Sequence, residues 1–476
     1  MFRQLLLLAL VVVIVPAAAN ASPVEVFGAS ARSASMVGAL VADPVGPDAV
    51  YHNVGGLARV APTAGIGMVF LQDRSVIRLK DRPAGYDIPN LGGTGPAVPT
   101  ERELAPRSDT TGDPPMAMMQ IGIVSSLGLE RFRFGLLASL PVHNGAPQGG
   151  FFPDERERLF TNRLHFELLG DRVRRFDVRG AVGIQLTDRL SLGLGAAWLP
   201  RVETRNDVYL QNPTDQENVD LVVQARQASR LGLSVGLLFE PMPGLRLGVS
   251  ARDALAMRLT GGNVIRIRGF EDDPETWPVE QRLDLTPFYS PSSLSTGVSG
   301  DLGDWTLSAE AQFERWSSYR DRQNAQTDFS DRVSGRLGLE FRYSDDTTVR
   351  GGLGFVPTPV PAQTGRTNYV DNSRLLTSLG ASHGVQIFGN ELEVAWFTQI
   401  HFLLPRDTDK VVPESIRNCG PGITDLCDEL PDDLRDPRTG RPIPEAGGLQ
   451  TGNPGFPGFV SGGWMAAAGL EVSWKF

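Results

Sequence analysis

From residue 63 onward, hydrophobic and polar residues alternate along the chain in segments of roughly a dozen residues. In the clearest segment, 331–343, the apolar face carries Val333, Gly335, Leu337, Leu339, Phe341 and Tyr343, and the polar face carries Ser334, Arg336, Gly338, Glu340 and Arg342. Successive side chains of a β-strand point to opposite faces, so this alternation predicts strands. About ten residues of tilted strand are enough to cross a bilayer, which makes these segments candidate membrane spans.

Fourteen such segments follow one another, and the lengths of their connections alternate. The segments begin near Thr63, Met116, Arg131, Val173, Arg189, Ala225, Gly244, Ser292, Asp304, Asp331, Thr347, Arg374, Glu391 and Trp464. Short turns, such as those at 130–131, 187–188 and 303–304, alternate with long loops over 80–115, 142–171, 260–290, 358–373 and 403–463. Bacterial membrane barrels have an even number of strands, short periplasmic turns and long extracellular loops. The sequence therefore predicts an all-β fold, a 14-stranded antiparallel transmembrane β-barrel over residues 63–476.

The first 62 residues do not follow this pattern. Residues 1–21 contain Arg3, an apolar run from Leu5 to Val15 and an Ala-Asn-Ala sequence at its end, which predicts a cleavable signal peptide. Residues 22–62 are rich in small residues and show no periodicity that persists. With an even number of strands, both barrel ends lie on the periplasmic side, so this segment can enter the lumen. We expect it to form a plug, or hatch.

Composition and charge narrow the class of protein. The chain has 41% hydrophobic and 21% charged residues, and no segment after the signal peptide has about 18 consecutive apolar residues, so no membrane-spanning helix is predicted. The net charge of −10 argues against a nucleic-acid partner. Aromatic residues near the expected strand ends predict two interfacial girdles: Trp198, Trp316 and Trp464 outside, and Trp305, Tyr343, Trp474 and Phe476 inside.

The two cysteines, Cys419 and Cys427, lie in the last long loop. In an exported protein this spacing favours a disulfide that closes the loop, with two unbonded thiols as the alternative. The five histidines, His52, His143, His165, His383 and His401, are scattered without metal-ligand spacing, so no metal or other cofactor is expected.

Three stretches resemble the FadL family of outer-membrane transporters for long-chain fatty acids and other hydrophobic compounds. They are 349–372 (VRGGLGFVPTPVPAQTGRTNYVDN), 305–317 (WTLSAEAQFERWS) and 48–57 (DAVYHNVGGL), and the last departs from the family at Val54, where Pro is usual. The resemblance implies a barrel closed by an N-terminal hatch in the bacterial outer membrane. It also implies that extracellular loops capture a hydrophobic small molecule, which binds in an interior pocket and leaves sideways through a gap at the third strand. We expect a monomer surrounded by outer-membrane lipid, and no enzymatic activity.

Candidate site residues come from the loops, the plug and the third strand. An amphipathic helix is expected over 154–168, with Phe160, Leu164 and Leu168 on one face that either receives ligand or packs over the barrel mouth. From the 349–372 stretch, Arg350 is the candidate clamp for an anionic head group, and Phe355 is a second ligand-binding candidate. The gate candidates are Tyr51, His52, Asn53, Gly55 and Gly56 in the plug, with Gly135 and Pro141 in the third strand. Pro141 marks either a lateral exit or a plain strand end.

Two other classes of function stay open at this point. One is a structural or secretion-associated barrel, which would lack a continuous apolar pocket between the loops and the hatch. The other is an outer-membrane lipid hydrolase, for which Gly380-Ala381-Ser382-His383-Gly384 formally matches G-x-S-x-G. A nucleophile elbow needs a strand–turn–helix context, and these residues lie within an alternating segment instead.

Overall fold

The computed structural model of the protein describes residues 24–80, 108–110, 116–142, 151–152, 164–165, 167–168, 177–210, 219–267, 279–320, 326–363, 369–387, 390–410 and 458–476. No helix among these residues is both long and apolar enough to cross a bilayer.

Fourteen antiparallel strands form one closed sheet. They are β1 (Thr63–Leu79), β2 (Met116–Ser125), β3 (Phe132–Pro141), β4 (Asp177–Gln185), β5 (Leu190–Leu199), β6 (Arg230–Met242), β7 (Leu245–Arg252), β8 (Ser293–Leu302), β9 (Trp305–Glu314), β10 (Arg332–Arg342), β11 (Thr347–Val356), β12 (Arg374–Ile387), β13 (Asn390–Asp409) and β14 (Gly458–Lys475). Each strand pairs with its neighbour in sequence, and β1 also pairs with β14, which closes the barrel. The predicted fold and all fourteen strands are confirmed. The largest shift is at β14, which begins at Gly458 and not near Trp464.

The two faces of the strands are those that the alternation predicted. On β10, Val333 and Leu337 are exposed on the outside, whereas Ser334 and Gly338 are buried on the inside. Exposed leucines also project outward from other strands, such as Leu194 on β5, Leu353 on β11 and Leu470 on β14. An outer surface of large apolar side chains is the surface that a membrane barrel presents to lipid.

The predicted girdles are mostly at the surface, with one exception. Trp198, Trp305 and Tyr343 are exposed at strand ends, as a girdle requires, whereas Trp464 is exposed within β14. Trp316 is only 1% exposed, so its assignment to the outer girdle was wrong. The chain leaves β9 at Glu314 and enters a short 3-10 helix (Trp316–Ser318) that turns the indole inward, against other loop residues.

Strands also form outside the barrel, where loops were predicted. Val202–Leu210, Val219–Gln227, Leu255–Ile267 and Val279–Ser290 make a separate four-stranded sheet. The loop expected over 260–290 is therefore largely strand, and the segment expected near Ala225 divides into one strand of this sheet and β6. Pairing between these two hairpins gives backbone N–H and C=O groups hydrogen-bond partners beyond the barrel rim.

The helix predicted over 154–168 is wrong at its described positions. Leu164–His165 is a short strand paired with Phe151–Phe152, and Glu167–Leu168 pairs in parallel with Tyr369–Val370. The peptide groups there bond across to other segments, which replaces the bonds of a helix. A three-residue strand, Ser108–Thr110, also pairs with the end of β1.

Residues 24–62, the N-terminal segment, pack against the inward faces of the strands. The segment contains α1 (Val24–Phe27), α2 (Ala31–Ser35), α3 (Ala49–His52) and a 3-10 helix (Gly56–Arg59). At the start of α2 the Ser30 hydroxyl accepts the backbone N–H of Ser33, a standard N-cap. Nearly every residue of the segment is buried, and the barrel therefore encloses it.

Inward-facing glycines on four neighbouring strands leave the space that the segment fills. We call Gly183, Gly193, Gly236 and Gly248 the glycine seam. A Cβ atom added to Gly193 would lie 2.0 Å from the carbonyl oxygen of Val54, and one added to Gly248 would lie 2.0 Å from that of Val41. Backbone can approach backbone this closely only where no side chain intervenes. The seam therefore fixes how deeply the segment sits in the lumen.

Candidate functional site

The motif 48–57 forms a turn that one side chain holds in place. The Asn53 side-chain amide donates to the carbonyl oxygens of Val41 (2.7 Å) and Leu237 (2.9 Å), and its oxygen accepts the N–H of Gly55 (2.9 Å). Asn53 is completely buried. Val54 stands where the family that this stretch resembles usually has Pro, which would fix the backbone φ of the turn. The three bonds of Asn53 restrain the turn instead.

An ion-pair network ties the N-terminal segment to the barrel wall. Arg32 of α2 contacts Asp43 within the segment (2.7 Å) and Glu340 on β10 (2.9 Å). Glu340 also accepts from Arg350 on β11 (2.5 Å), and Asp43 also faces Arg246 on β7 (3.3 Å). Buried charges need such partners, because an unpaired charge away from water is costly. The network therefore anchors the segment from two sides of the lumen.

Arg350 belongs to this network and not to a ligand clamp. Its guanidinium donates to Glu340 and to the Ser382 hydroxyl (2.9 Å), and the residue is only 6% exposed. Because Arg350 contacts Glu340 and Ser382 inside the barrel, its charge is already neutralised by the network that anchors the N-terminal segment. Ser382 itself lies inside the continuous strand β12, so the pentapeptide 380–384 does not form a nucleophile elbow.

The other predicted ligand and disulfide residues lie elsewhere or are not described. Phe355 is 43% exposed on the outer face of β11, so it does not reach the lumen. The alternation places 349, 351, 353 and 355 together on the lipid side. Leu164 is described only through its strand pairing, and Phe160, Cys419 and Cys427 lie outside the described residues.

The third strand shows no break in its pairing over the described residues. β3 is paired to β2 from Phe134 to Pro141 and to β4 from Phe132 to Ser139. On the inner side of Gly135, an added Cβ would lie 2.5 Å from Val50 and 3.0 Å from Leu57. The gap that the resemblance implied is thus absent here, and two apolar side chains of the N-terminal segment cover this part of the wall.

A small polar cavity lies above the N-terminal segment. Its volume is about 60 Å³, enough for a few water molecules. The charged residues that line it are Arg179, Arg252, Arg332, Arg336, Arg374, Glu25, Asp253 and Glu314. Five guanidinium groups therefore face three carboxylates, together with apolar side chains such as Leu255, Val356 and Leu376. We call this space the arginine cavity.

Two arginines of the arginine cavity form no ion pair with a carboxylate in the part of the chain that the structure describes. Arg332 pairs with Glu314 (2.5 Å), and Arg336 with Glu310 (3.3 Å). Among the described residues, no carboxylate lies within ion-pairing distance of Arg252 or Arg374, and the Nε of Arg374 is buried without a hydrogen-bond partner. Guanidinium groups that form no direct ion pair can take a carboxylate or another anion as a partner.

Tyr51, a predicted gate residue, forms part of the cavity floor. Its ring lies between two guanidinium groups, with the Cζ of Arg179 at 4.8 Å and that of Arg252 at 4.3 Å from the ring centroid. Cation–π contacts of this kind favour a fixed ring position. The motif 48–57 therefore reaches the cavity through Tyr51, while Asn53, Gly55 and Gly56 lie deeper, against the barrel wall.

His52, beside Tyr51, lies in the N-terminal segment with its Nε2 2.6 Å from the Ser33 hydroxyl. Burial, with the guanidinium groups of Arg252 and Arg336 nearby, holds the pKa of His52 well below its ordinary value of 6.5. The folded protein therefore keeps the imidazole neutral at a pH where the unfolded chain binds a proton.

This difference predicts a pH dependence of stability. Because the folded-state pKa is depressed, the contribution of His52 is complete above about pH 6.5 and is lost as the pH falls below it, by up to about 1.4 kcal/mol per pH unit. We expect urea unfolding of the reconstituted barrel between pH 7 and pH 5 to show a steeper loss of stability for wild type than for His52→Gln. Parallel profiles for the two proteins would contradict this assignment.

A cluster of aromatic rings from the loops lies beside the arginine cavity. Tyr289, Trp316, Tyr319, Phe329 and Tyr369 form one buried cluster, with ring centroids 4.8 Å apart for Tyr319 and Phe329 and 5.0 Å apart for Phe329 and Tyr369. The guanidinium of the cavity residue Arg332 lies 5.3 Å from the ring of Trp316. The sequence analysis missed this aromatic cluster. Its members come from three separate loops, and only the Trp316 and Tyr369 stretches had been noted as family-like.

Comparison with known proteins finds likeness in structure only. No protein-family model matches the chain, and no curated protein matches it. A crystal structure of a Pseudomonas aeruginosa FadL homologue matches with a TM-score of 0.59 at 15% identity, covering 97% of this chain and 99% of that one. The P. putida toluene transporter TodX matches with a TM-score of 0.54 at 14% identity, covering 95% and 99%. The CymD monoaromatic hydrocarbon channel gives 0.50 at 12% identity, covering 95% and 98%. The FadL-type fold that the resemblance implied is confirmed.

Proposed function

We propose that this protein is a bacterial outer-membrane transporter for the uptake of hydrophobic compounds that carry an anionic head group, such as long-chain fatty acids. The observation that carries the proposal is the arginine cavity, which lies above the N-terminal segment and beside the aromatic cluster, and in which Arg252 and Arg374 form no ion pair with a described carboxylate. The fold, shared with a FadL homologue and with TodX, supports it. A lipophile gains nothing from a wide aqueous pore, and the described lumen is filled by residues 24–62.

The steps of transport follow from what encloses the cavity. Ligand captured by the extracellular loops has to pass the aromatic cluster, and its head group then meets Arg252 and Arg374. Release through the barrel wall at β3 requires Val50 and Leu57 to move away from Gly135. The plug motif 48–57 contains Val50 and Leu57, so movement of this motif would couple the cavity to the wall.

A second candidate cargo is a neutral aromatic hydrocarbon. The titles of two similar structures describe a toluene transporter and a monoaromatic hydrocarbon channel. In this chain the aromatic cluster favours such a cargo, because aromatic rings exchange edge-to-face and stacked contacts with one another. Anionic and neutral cargo can be separated by experiment.

We expect Arg252→Gln combined with Arg374→Gln to weaken binding of a long-chain fatty acid by at least about ten-fold, since each substitution removes a charge-assisted bond. The binding of toluene should not change. The measurement is equilibrium binding of labelled ligand to the purified protein in lipid nanodiscs, together with fatty-acid uptake by cells that depend on this barrel.

Arg258→Gln is the matched control, because Arg258 is an exposed arginine of the extracellular sheet paired with Asp284. It should leave both ligands unaffected. Equal fatty-acid binding by the double variant and wild type would refute the anionic cargo, and toluene binding would then support the second candidate.

A further inference from the structure

We propose that His401 and Arg374 form a subsite of the arginine cavity that binds the carboxyl group of a fatty acid together with one proton. The inference rests on the proposed function and deepens it, because it states in which form the head group is bound. The two residues lie on the inner faces of neighbouring strands. Arg374 begins β12, and His401 on β13 stands opposite Leu376, the next inward residue after Arg374.

Each of the two side chains has a buried nitrogen atom without a partner. His401 and Arg374 both line the arginine cavity. The Nε of Arg374 and the Nδ1 of His401 form no hydrogen bond with any described residue, and His401 is only 1% exposed. A buried polar atom without a partner costs free energy. A ligand that satisfies both atoms therefore recovers that cost when it binds.

The bond at the other ring nitrogen of His401 decides what Nδ1 can do. One end of the Gln399 side chain lies 2.9 Å from the carbonyl oxygen of Phe27 and 3.3 Å from that of Ala34, so this end is the NH2 group. The other end is the oxygen, which accepts Nε2–H of His401 at 2.8 Å. A neutral imidazole carries only one N–H, so its Nδ1 is a hydrogen-bond acceptor.

The subsite thus offers one donor, the Nε–H of Arg374, and one acceptor, the Nδ1 of His401. A protonated carboxyl group matches this pair, because its carbonyl oxygen accepts and its O–H donates. A carboxylate has acceptors only, so it needs one proton from the solvent when it binds. That proton is shared between the carboxyl oxygen and Nδ1, and no covalent bond of the ligand breaks. The cavity, at about 60 Å³, has room for the three heavy atoms of the carboxyl group.

The charges around His401 favour taking up the proton with the ligand. The charged groups beside it in the cavity are Arg374 on β12, Arg336 on β10 and Glu25 on α1, and its partner on β14, Met465, is neutral. The whole cavity has five guanidinium groups and three carboxylates. A proton on the empty site would add to this positive charge, whereas a proton that arrives with a carboxylate adds none.

Proton uptake can be measured on wild type itself. The experiment is calorimetric titration of the full chain in lipid nanodiscs with laurate, in phosphate and in Tris buffer, with empty nanodiscs as the background. Laurate is ionised in water at neutral pH, because carboxyl groups titrate near about pH 4. We expect about one proton to be taken up per laurate bound. Laurate affinity should then rise by up to about ten-fold for each unit by which the pH falls.

The matched ligand is 1-dodecanol, which has its own O–H to donate to Nδ1. It should bind without proton uptake and with an affinity that does not depend on pH.

His401→Gln assigns the proton to this subsite. The amide nitrogen of the new side chain can still donate to Gln399, but no atom replaces Nδ1. We expect this variant to bind laurate about ten-fold more weakly than wild type and without proton uptake, since it loses one charge-assisted bond. His383→Gln is the matched control, because His383 is exposed on β12 and bonded to Thr347. It should bind laurate with the affinity and the proton uptake of wild type.

Laurate binding to wild type without proton uptake would overturn the inference and leave the transport function standing. Proton uptake that persists in His401→Gln would also overturn it, because the proton would then go to another group. If wild type binds neither laurate nor 1-dodecanol above the empty-nanodisc background, the proposed function itself fails.

Discussion

Replacing Gly193 and Gly236 together by alanine should displace the N-terminal segment and turn a closed barrel into a conducting one. The added Cβ at Gly236 would lie 2.1 Å from the side-chain oxygen of Asn53, and the one at Gly193 would lie 2.0 Å from the carbonyl oxygen of Val54. Both oxygen atoms belong to the buried turn that Asn53 restrains, so they have little room to shift. Overpacking of this kind typically costs about 1–3 kcal/mol per site.

Ion conductance across a planar bilayer measures the result. Wild type should conduct poorly, because residues 24–62 fill the described lumen, and the double variant should conduct several-fold more. Gly180→Ala with Gly300→Ala is the matched control, since an added Cβ at either position meets no atom within 4 Å. A double variant that folds and conducts no more than wild type would show that the seam does not position the segment.

Removal of Arg32 should have the largest effect on stability. Arg32→Met leaves Asp43 and Glu340 without their shared buried partner, and breaking a buried ion pair from one side typically costs about 3–5 kcal/mol. Urea unfolding of the reconstituted barrel should show the loss. Because the cost comes mainly from the carboxylates left behind, adding Asp43→Asn to Arg32→Met should recover part of it, since Arg246, the other partner of Asp43, still pairs with Asp301.

Arg258→Met is the control for the loss of stability expected of Arg32→Met. Arg258 forms an ion pair of similar length with Asp284, but on the exposed extracellular sheet, where water and salt screen the charges. Its removal should change stability far less than removal of Arg32. Similar losses for both variants would mean that the buried network does not anchor the N-terminal segment.

Much of the barrel could be predicted from the sequence, because strands and turns are each marked by a local pattern of residues. Alternation with a period of two residues decides which face each residue occupies, and turn residues decide where a strand ends. Phe355 could have been assigned to the lipid side by the same rule, since it shares the phase of Val349 and Leu353. The extracellular sheet was missed because loop length alone does not reveal pairing between two distant hairpins.

Fewer features of the candidate functional site could be predicted from the sequence. Arg350 was chosen for its place in a family-like stretch, yet the structure pairs it with Glu340 and Ser382. Arg252 and Arg374 differ from it only in what surrounds them, and no feature of the sequence around an arginine states which carboxylates will reach it. The glycine seam likewise becomes visible only when strands β4–β7 stand side by side.

The sequence by itself thus determined the number of strands, their two faces and the alternation of short turns with long loops. These properties depend on neighbouring residues and on the parity of the strand count. Only the tertiary structure decided which charges are neutralised, and that aromatic rings from three loops pack together beside the cavity. Such contacts join residues far apart in the chain, because closure of the barrel brings into one lumen side chains that no local pattern relates.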